Sequence, residues 1–348
     1  MKVLLYTEFE KQLEKSGLGK AIRHQICALE RNGIPYTTDP HEDYDIVHIN
    51  FYGLGSYRMA KAARRKGKKV VYHAHSTEED FRNSFRGSNF FAPFFKWWIC
   101  RCYRLGDHII TPTPYSKRIL ESYGLSGISA ISNGIDTDFF KKNEADGRAF
   151  REKYGYSATD KVVMGIGLYL ERKGILDFVQ FAKDMPDVKF IWFGYTAPHL
   201  IPAEIREAVS TELPNLCFAG YVEPTVIRAA LSGADLYVFP THEETEGIPI
   251  MEACACRQRA IVRDIPVFDG WLTDGVNVYK AKDNAAFETK IREVLDGRLP
   301  DLTDAAYEVA LNCDAEKVGR ELIDVYETVM AEQETENAHK FFKKKSLG

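Results

Sequence analysis

The stretch HEETEGIPIME, residues 242–252, sets two carboxylates, Glu244 and Glu252, eight positions apart around Gly247. The run before it, ADLYVFPT (234–241), is rich in β-formers and stops at a proline. Pro249 suits the first turn of a helix that continues through IMEACAC. A helix start at Gly247 and Ile248 offers free backbone N–H groups and a partial positive charge, which suits a phosphate. Taken alone, Glu252 fits the plainer role of complementing the helix dipole. A second stretch, GIGLYLERKG, puts Arg172 and Lys173 before Gly174 at another helix start. Arg as a fork and Lys as a point charge neutralise a diphosphate, although a solvated turn has the same composition. Cations for phosphate and carboxylates for hydroxyls together point to a nucleotide sugar, with Glu252 accepting ribose hydroxyls and Glu244 hydroxyls of the sugar.

Two smaller features lie in the first half of the chain. In EKSGLGKAI, Gly17 and Gly19 mark a loop-to-helix junction where backbone can approach a ligand closely. After KKVVYHA, His73 and His75 share one face if the strand continues through them. Two histidines without a third ligand argue against a metal site. They suit contact with a sugar or phosphate, the alternative being histidines satisfied within the core.

The elements that must position these groups form two series. Short apolar runs at 2–8, 45–50, 68–76, 107–114 and 127–136 alternate with helical stretches, and runs at 161–170, 188–194, 215–222, 234–241 and 259–265 repeat the pattern. This is an α/β chain of two Rossmann-like domains with parallel sheets covered on both faces. Their ligands are expected beyond the carboxyl ends of the strands. The expected boundaries are residues 1–140 for the acceptor-facing domain and 158–315 for the nucleotide-sugar domain. Residues 316–348 form a C-terminal helix, packing back on the first domain, and the basic tail KFFKKKSLG. A charged, sheetless linker is expected from Thr137 to Asp160.

A chain of 348 residues with 45% hydrophobic and 28% charged residues is that of a globular protein of two ordinary domains. No run of 18 apolar residues predicts a spanning helix, and MKVLLYTEFEKQ turns charged too soon for a signal peptide. The seven cysteines lack zinc spacing, so free thiols and a cytoplasmic setting are expected. Net charge is −4, yet Lys and Arg outnumber Asp and Glu 12 to 4 in residues 51–110. Such a local patch, including Arg64, Arg65, Lys68 and Lys69, suits an anionic surface rather than nucleic acid. Within it, residues 81–107 hold six phenylalanines and two tryptophans. On a helix from Phe94 to Leu105, the arc holding Phe94, Phe95 and Trp98 is expected to face the core, and Trp97 to sit among cations. With Phe85, Phe90 and Phe91 upstream, this is how a membrane-interfacial segment is built.

In order and spacing, SGLG (16–19), VVYHAHS, HIITPTPYSKRIL, ISNGIDTDFF, GLYLERKG and ETEGIPIME resemble the retaining glycosyltransferases of family 4 over nearly the whole chain. That resemblance implies the GT-B fold, two facing Rossmann-like domains with a cleft between them. It implies a UDP-sugar donor held by the second domain, an acceptor held by the first, and no cofactor or obligatory metal. It also implies Lys173, Glu244 and His75 as catalytic residues, with His75 near the donor sugar and Gly17 and Gly19 near its phosphate. Many members carry an arginine after the glycine where Leu168 stands here, and Arg172 is the candidate to supply that charge. Short members with E-K-S-G-x-G resemble bacterial diglycosyl-diacylglycerol synthases. The implied reaction adds glucose or galactose from a UDP-hexose to monoglucosyl-diacylglycerol, at the inner face of the cell membrane. A polysaccharide or cell-wall precursor is the alternative acceptor. UDP-sugar epimerases share the fold, and a non-catalytic lipid-binding protein is the reading from outside enzymology.

Overall fold

The computed structural model describes residues 1–9, 13, 16–84 and 87–345, with side chains up to residue 332. The chain divides into two compact units. One comprises residues 1–77, 94–134 and 315–348, and the other residues 78–93 and 135–314. Both are α/β units built on a six-stranded parallel sheet.

In the first unit the strands are β1 (Val3–Tyr6), β2 (Tyr36–Thr37), β3 (Ile46–Ile49), β4 (Lys69–His73), β5 (His108–Thr111) and β6 (Ile128–Ala130), in the order β2-β1-β3-β4-β5-β6. The inner strands β3 and β4 are buried at every position, so their sequences, IVHI and KVVYH, do not alternate apolar with polar residues. The direction of strand addition reverses between β1 and β3, which opens a crevice at their carboxyl ends. The helix Gly17–Arg31 follows β1, capped by Ser16, whose hydroxyl accepts from the Gly19 amide. The helix Ala315–Lys345 lies against it, where Gly319 leaves no room for a Cβ beside Asn32 and Ala28. Val318, Leu322, Val325, Tyr326 and Val329 thereby join Val3, Leu5, Ala28 and Leu29 in one core.

The second unit contains β7 (Val162–Ile166), β8 (Lys189–Phe193), β9 (Leu216–Gly220), β10 (Leu236–Phe239), β11 (Ala260–Arg263) and β12 (Tyr279–Ala281), ordered β12-β11-β10-β7-β8-β9. This is the doubly wound order, with its switch point between β7 and β10. Its core is strongly aromatic: Phe178, Phe181, Phe190, Trp192 and Phe287 are all fully buried. The stretch expected to be a linker instead carries a helix, Glu144–Tyr154, capped by Asn143. It packs on the helix Pro224–Gly233 through Gly147, where a Cβ would come within 2.7 Å of the Ser232 carbonyl. The residues 78–93, which the sequence series assigns to the first domain, group with this unit.

Candidate functional site

The loops that follow β7 and β10 meet at the switch point of the second sheet. A helical turn, Glu171–Lys173, ends at Gly174, whose φ of +75° and contact with the Pro240 carbonyl exclude a side chain. The Arg172 carbonyl accepts from the His242 amide at 2.7 Å and the Thr241 hydroxyl at 3.0 Å, so the two loops are one hydrogen-bonded unit. On that frame the Lys173 ammonium pairs with Glu244 Oε1, which lies 3.1 Å from the Thr241 hydroxyl and shares that hydroxyl's one hydrogen with the Arg172 carbonyl. Both side chains are largely buried, 16% and 8% exposed. Burial pushes the Lys173 ammonium below its ordinary value, and the Glu244 carboxylate opposes that shift.

Arg172 turns elsewhere. Its guanidinium pairs with Asp80 at 3.0 Å and donates to the Ser84 hydroxyl at 2.8 Å and the Glu243 carbonyl at 3.3 Å. The neighbours share an element but not a direction, so only Lys173 joins Glu244. Gly247 takes φ +105° at the start of the helix Ile248–Ala255, with Pro249 in its first turn. Ile248 and Glu252 are buried, and Glu252 is 1% exposed. Sequence reasoning passed over Tyr237. Its hydroxyl is buried without a hydrogen-bond partner, and Glu252 and Glu244 lie close enough to push its phenol up further than burial alone. A hydroxyl in a strand that is otherwise aliphatic or phenyl was the available signal. His242 is braced by Asp177 at 2.7 Å, which in turn holds Arg263 and Asn284.

In the first unit, Gly17 is exposed at the helix start beyond β1 and Gly19 is buried behind it. β4 ends at His73, and His75 lies just beyond the strand. The two rings nevertheless stack, with centroids 3.9 Å apart and planes 11° from parallel. His75 Nε2 lies 3.0 Å from Asn50 Oδ1. Burial pushes the His75 imidazole down to about 3, so it is neutral near pH 7. Among the described residues, no group of three His, Cys, Asp or Glu side chains is placed to hold a metal.

The helix Ser88–Tyr103 carries the aromatic segment. Phe90, Phe91, Phe94 and Trp97 are 84%, 57%, 63% and 54% exposed, whereas Phe95, Ile99, Cys102 and Tyr103 are buried. Phe94, expected in the buried arc, is therefore on the outer face, because it lies one turn from both Phe90 and Trp97. Arg101 stacks on Trp97 and on Tyr57, and Lys61 lies over the same Tyr57 ring. Lys69 does not belong to an exposed patch: it is the first residue of β4 and only 8% exposed. Arg64 is engaged by Asp107 and the Leu105 carbonyl, and Lys68 by Asp43, while Arg65 is exposed. Phe85 lies outside the described residues, as do the last three residues of the basic tail and the side chains of the rest. No helix among the described residues is long and apolar enough to cross a membrane.

Comparison with known proteins adds three findings. Residues 38–139 match the model of Glycosyltransferase Family 4, and residues 146–310 that of Glycosyl transferases group 1. The processive diacylglycerol alpha-glucosyltransferase of Acholeplasma laidlawii is 41% identical over 332 residues, covering 95% of this chain and 99% of the relative. The alpha-galactosylglucosyldiacylglycerol synthase of Streptococcus pneumoniae is 22% identical, covering 81% of this chain and 77% of the relative. Among solved structures, Anabaena HepE in complex with UDP and glucose superposes with a TM-score of 0.76 at 16% identity, covering 94% of this chain and 99% of that one. Sucrose-phosphate synthase from Thermosynechococcus elongatus gives 0.78 at 15% identity, covering 95% and 99%. At such identities these structures establish the architecture.

Proposed function

Because the chain belongs to the glycosyltransferases of family 4, we propose that it moves a hexose from UDP-glucose or UDP-galactose to monoglucosyl-diacylglycerol. The product is an α-linked diglycosyl-diacylglycerol, formed with retention and without an obligatory metal. The observation that carries the donor half of this reading is the Lys173–Glu244 pair at the switch point of the second sheet. Relatives named for diacylglycerol glycosylation support the acceptor half.

Without donor, each member of the pair neutralises the other. An arriving diphosphate competes for the Lys173 ammonium and frees the Glu244 carboxylate for hydroxyls of the sugar. Glu252 accepts ribose hydroxyls, and the backbone N–H groups at Gly247 and Ile248 face phosphate. As the sugar–phosphate bond breaks, negative charge grows on the leaving UDP, and Lys173 stabilises it most where charge is greatest. The acceptor hydroxyl attacks from the face the phosphate leaves. His75 contacts the donor sugar, and Gly17 and Gly19 its phosphate. Phe90, Phe91, Phe94 and Trp97 enter the lipid interface beside Arg101 and Lys61, an aromatic and cationic arrangement suited to anionic headgroups.

The test is label transfer from UDP-glucose and, in parallel, UDP-galactose to liposomes containing diacylglycerol, monoglucosyl-diacylglycerol or neither. Labelled diglycosyl lipid only with the glycosylated acceptor is the expected result and names the donor. Label on plain diacylglycerol makes the protein a first-step enzyme. Donor hydrolysis with no lipid product overturns the acceptor assignment.

A further inference from the structure

Beneath His75 lies a chain of polar side chains that the donor reading leaves unused. Asn50 follows β3, beside the crevice of the first sheet. Its amide nitrogen donates to Gln25 Oε1 at 2.8 Å, so its Oδ1, 3.0 Å from His75 Nε2, is an acceptor. Gln25 is oriented in turn, with its amide nitrogen 3.0 and 2.9 Å from the two ring nitrogens of His48. The His48 ring also meets Tyr326 Oη at 2.6 Å and His73 Nδ1 at 3.1 Å. In this arrangement Gln25 donates to whichever His48 ring nitrogen lacks hydrogen and accepts from Asn50, which leaves Asn50 Oδ1 to face His75.

We infer that Asn50, oriented by Gln25, is a positioning residue that fixes His75 as its Nε2–H tautomer, so that Nδ1 presents a lone pair to a hydroxyl of the transferred sugar. A neutral imidazole holding one hydrogen on Nε2 can only accept at Nδ1. No other hydrogen-bond partner of His75 is found among the described residues. The role rests on the reading of His75 as a donor-sugar contact.

Among the described residues, the half-buried His75 ring faces no acid that would favour its protonation. The titratable groups facing His75 are His73, stacked on it, and His48 and Tyr326 behind His73. The helix Gly17–Arg31 brings Gln25 and Ala21, the C-terminal helix Val318 and Leu322, and the loop after β6 Ser132 and Asn133. Together with His73 and Asn50 these enclose a cavity of about 10 Å³, room for roughly one water. His73, whose buried Nε2 has no protein partner, is among the lining residues. Burial alone accounts for the lowered basicity of His75; no carboxylate contributes.

Two measurements test this. Nitrogen-15 NMR of histidine-labelled wild-type protein needs no variant, and an Nε2–H signal for His75 is expected. An Nδ1–H tautomer overturns the inference. Turnover of the wild type, His75→Ala and Asn50→Asp is then followed from pH 5.5 to 8.5. In Asn50→Asp a carboxylate replaces the amide and favours imidazolium. Each unit by which its pKa exceeds the assay pH costs about tenfold in the neutral form. A new acidic limb is expected, with about tenfold lower turnover at pH 6 than at pH 8.5, absent from the wild type. An unchanged profile in Asn50→Asp, with His75→Ala still impaired, overturns the positioning role and leaves the reading of His75 intact. Full turnover in His75→Ala overturns the reading itself.

Discussion

Lys173 and Glu244 close a buried ion pair between two loops that are 71 residues apart in the chain but adjacent at the switch point of one sheet. Removing one partner of such a pair strands the other charge, at a cost of about 3–5 kcal/mol. Lys173→Ala is therefore expected to lower both urea stability, by about 3 kcal/mol, and turnover, by about 100-fold or more. The double variant Lys173→Met with Glu244→Gln is expected to recover most of the stability and none of the turnover. Urea melts and initial rates on the same preparations check this; recovery of activity in the double variant would show that the pair is structural only.

Gly174 gives an orthogonal test of the same loop. Gly174→Ala adds a Cβ at positive φ against the Pro240 carbonyl, where nothing can yield without moving the Lys173 turn. Gly220→Ala has a similar φ of +70° but meets nothing within 4 Å. The second change is expected to cost about 1 kcal/mol and leave donor affinity unaltered. The first is expected to cost more and to raise KM for the donor, measured by kinetics at matched temperature.

The outer aromatic row predicts lipid binding that depends on shape as well as charge. Phe94→Ser with Trp97→Ser removes two exposed rings and is expected to weaken sedimentation with anionic vesicles by about tenfold or more, each buried aromatic being worth roughly 1.5–3 kcal/mol. Lys69→Gln is expected to leave vesicle binding unchanged, since that side chain is inside. Equal binding by the double aromatic variant would remove this helix from the interface.

The buried histidines predict how stability varies with pH. Burial, aided by His75, pushes the His48 imidazole down to about 3 from an ordinary 6.5. Between these values the unfolded chain takes up a proton that the folded one refuses. The contribution of His48 is thus intact above about pH 6.5 and declines as pH falls toward 3. At pH 5 the loss is about 2 kcal/mol. Urea midpoints from pH 7 to 5 should fall less steeply in His48→Gln than in the wild type.

The two strand series were legible because buried parallel strands are continuous apolar runs, and ten such runs stood out. β2 and β12 did not, being edge strands of two and three residues. The helix Glu144–Tyr154 was hidden for a related reason. It buries only Gly147 and Phe150, so its sequence is charged around nearly the whole circumference. Phe94 was misplaced because a helix begun at that residue omits Phe90, its partner one turn earlier. In the donor loops, residue type and strand order announced Lys173 and Glu244. That Arg172 faces Asp80 was not legible, since nothing local in the sequence sets which way adjacent cations turn. The polar chain beneath His75 draws on the helix Gly17–Arg31, β3 and the residue after it, β4 and the C-terminal helix, and only the fold assembles it.

The C-terminal helix has a consequence for biogenesis. Val318, Leu322, Val325, Tyr326 and Val329 belong to the same core as Val3 and Leu5. During synthesis the first unit therefore waits, its face toward this helix uncovered, while some 180 residues of the second emerge and fold. The first unit is thus completed only after the second has been made. A nascent chain stalled before residue 315 should expose the apolar side of the helix Gly17–Arg31 to chaperones, and one released at residue 330 should not.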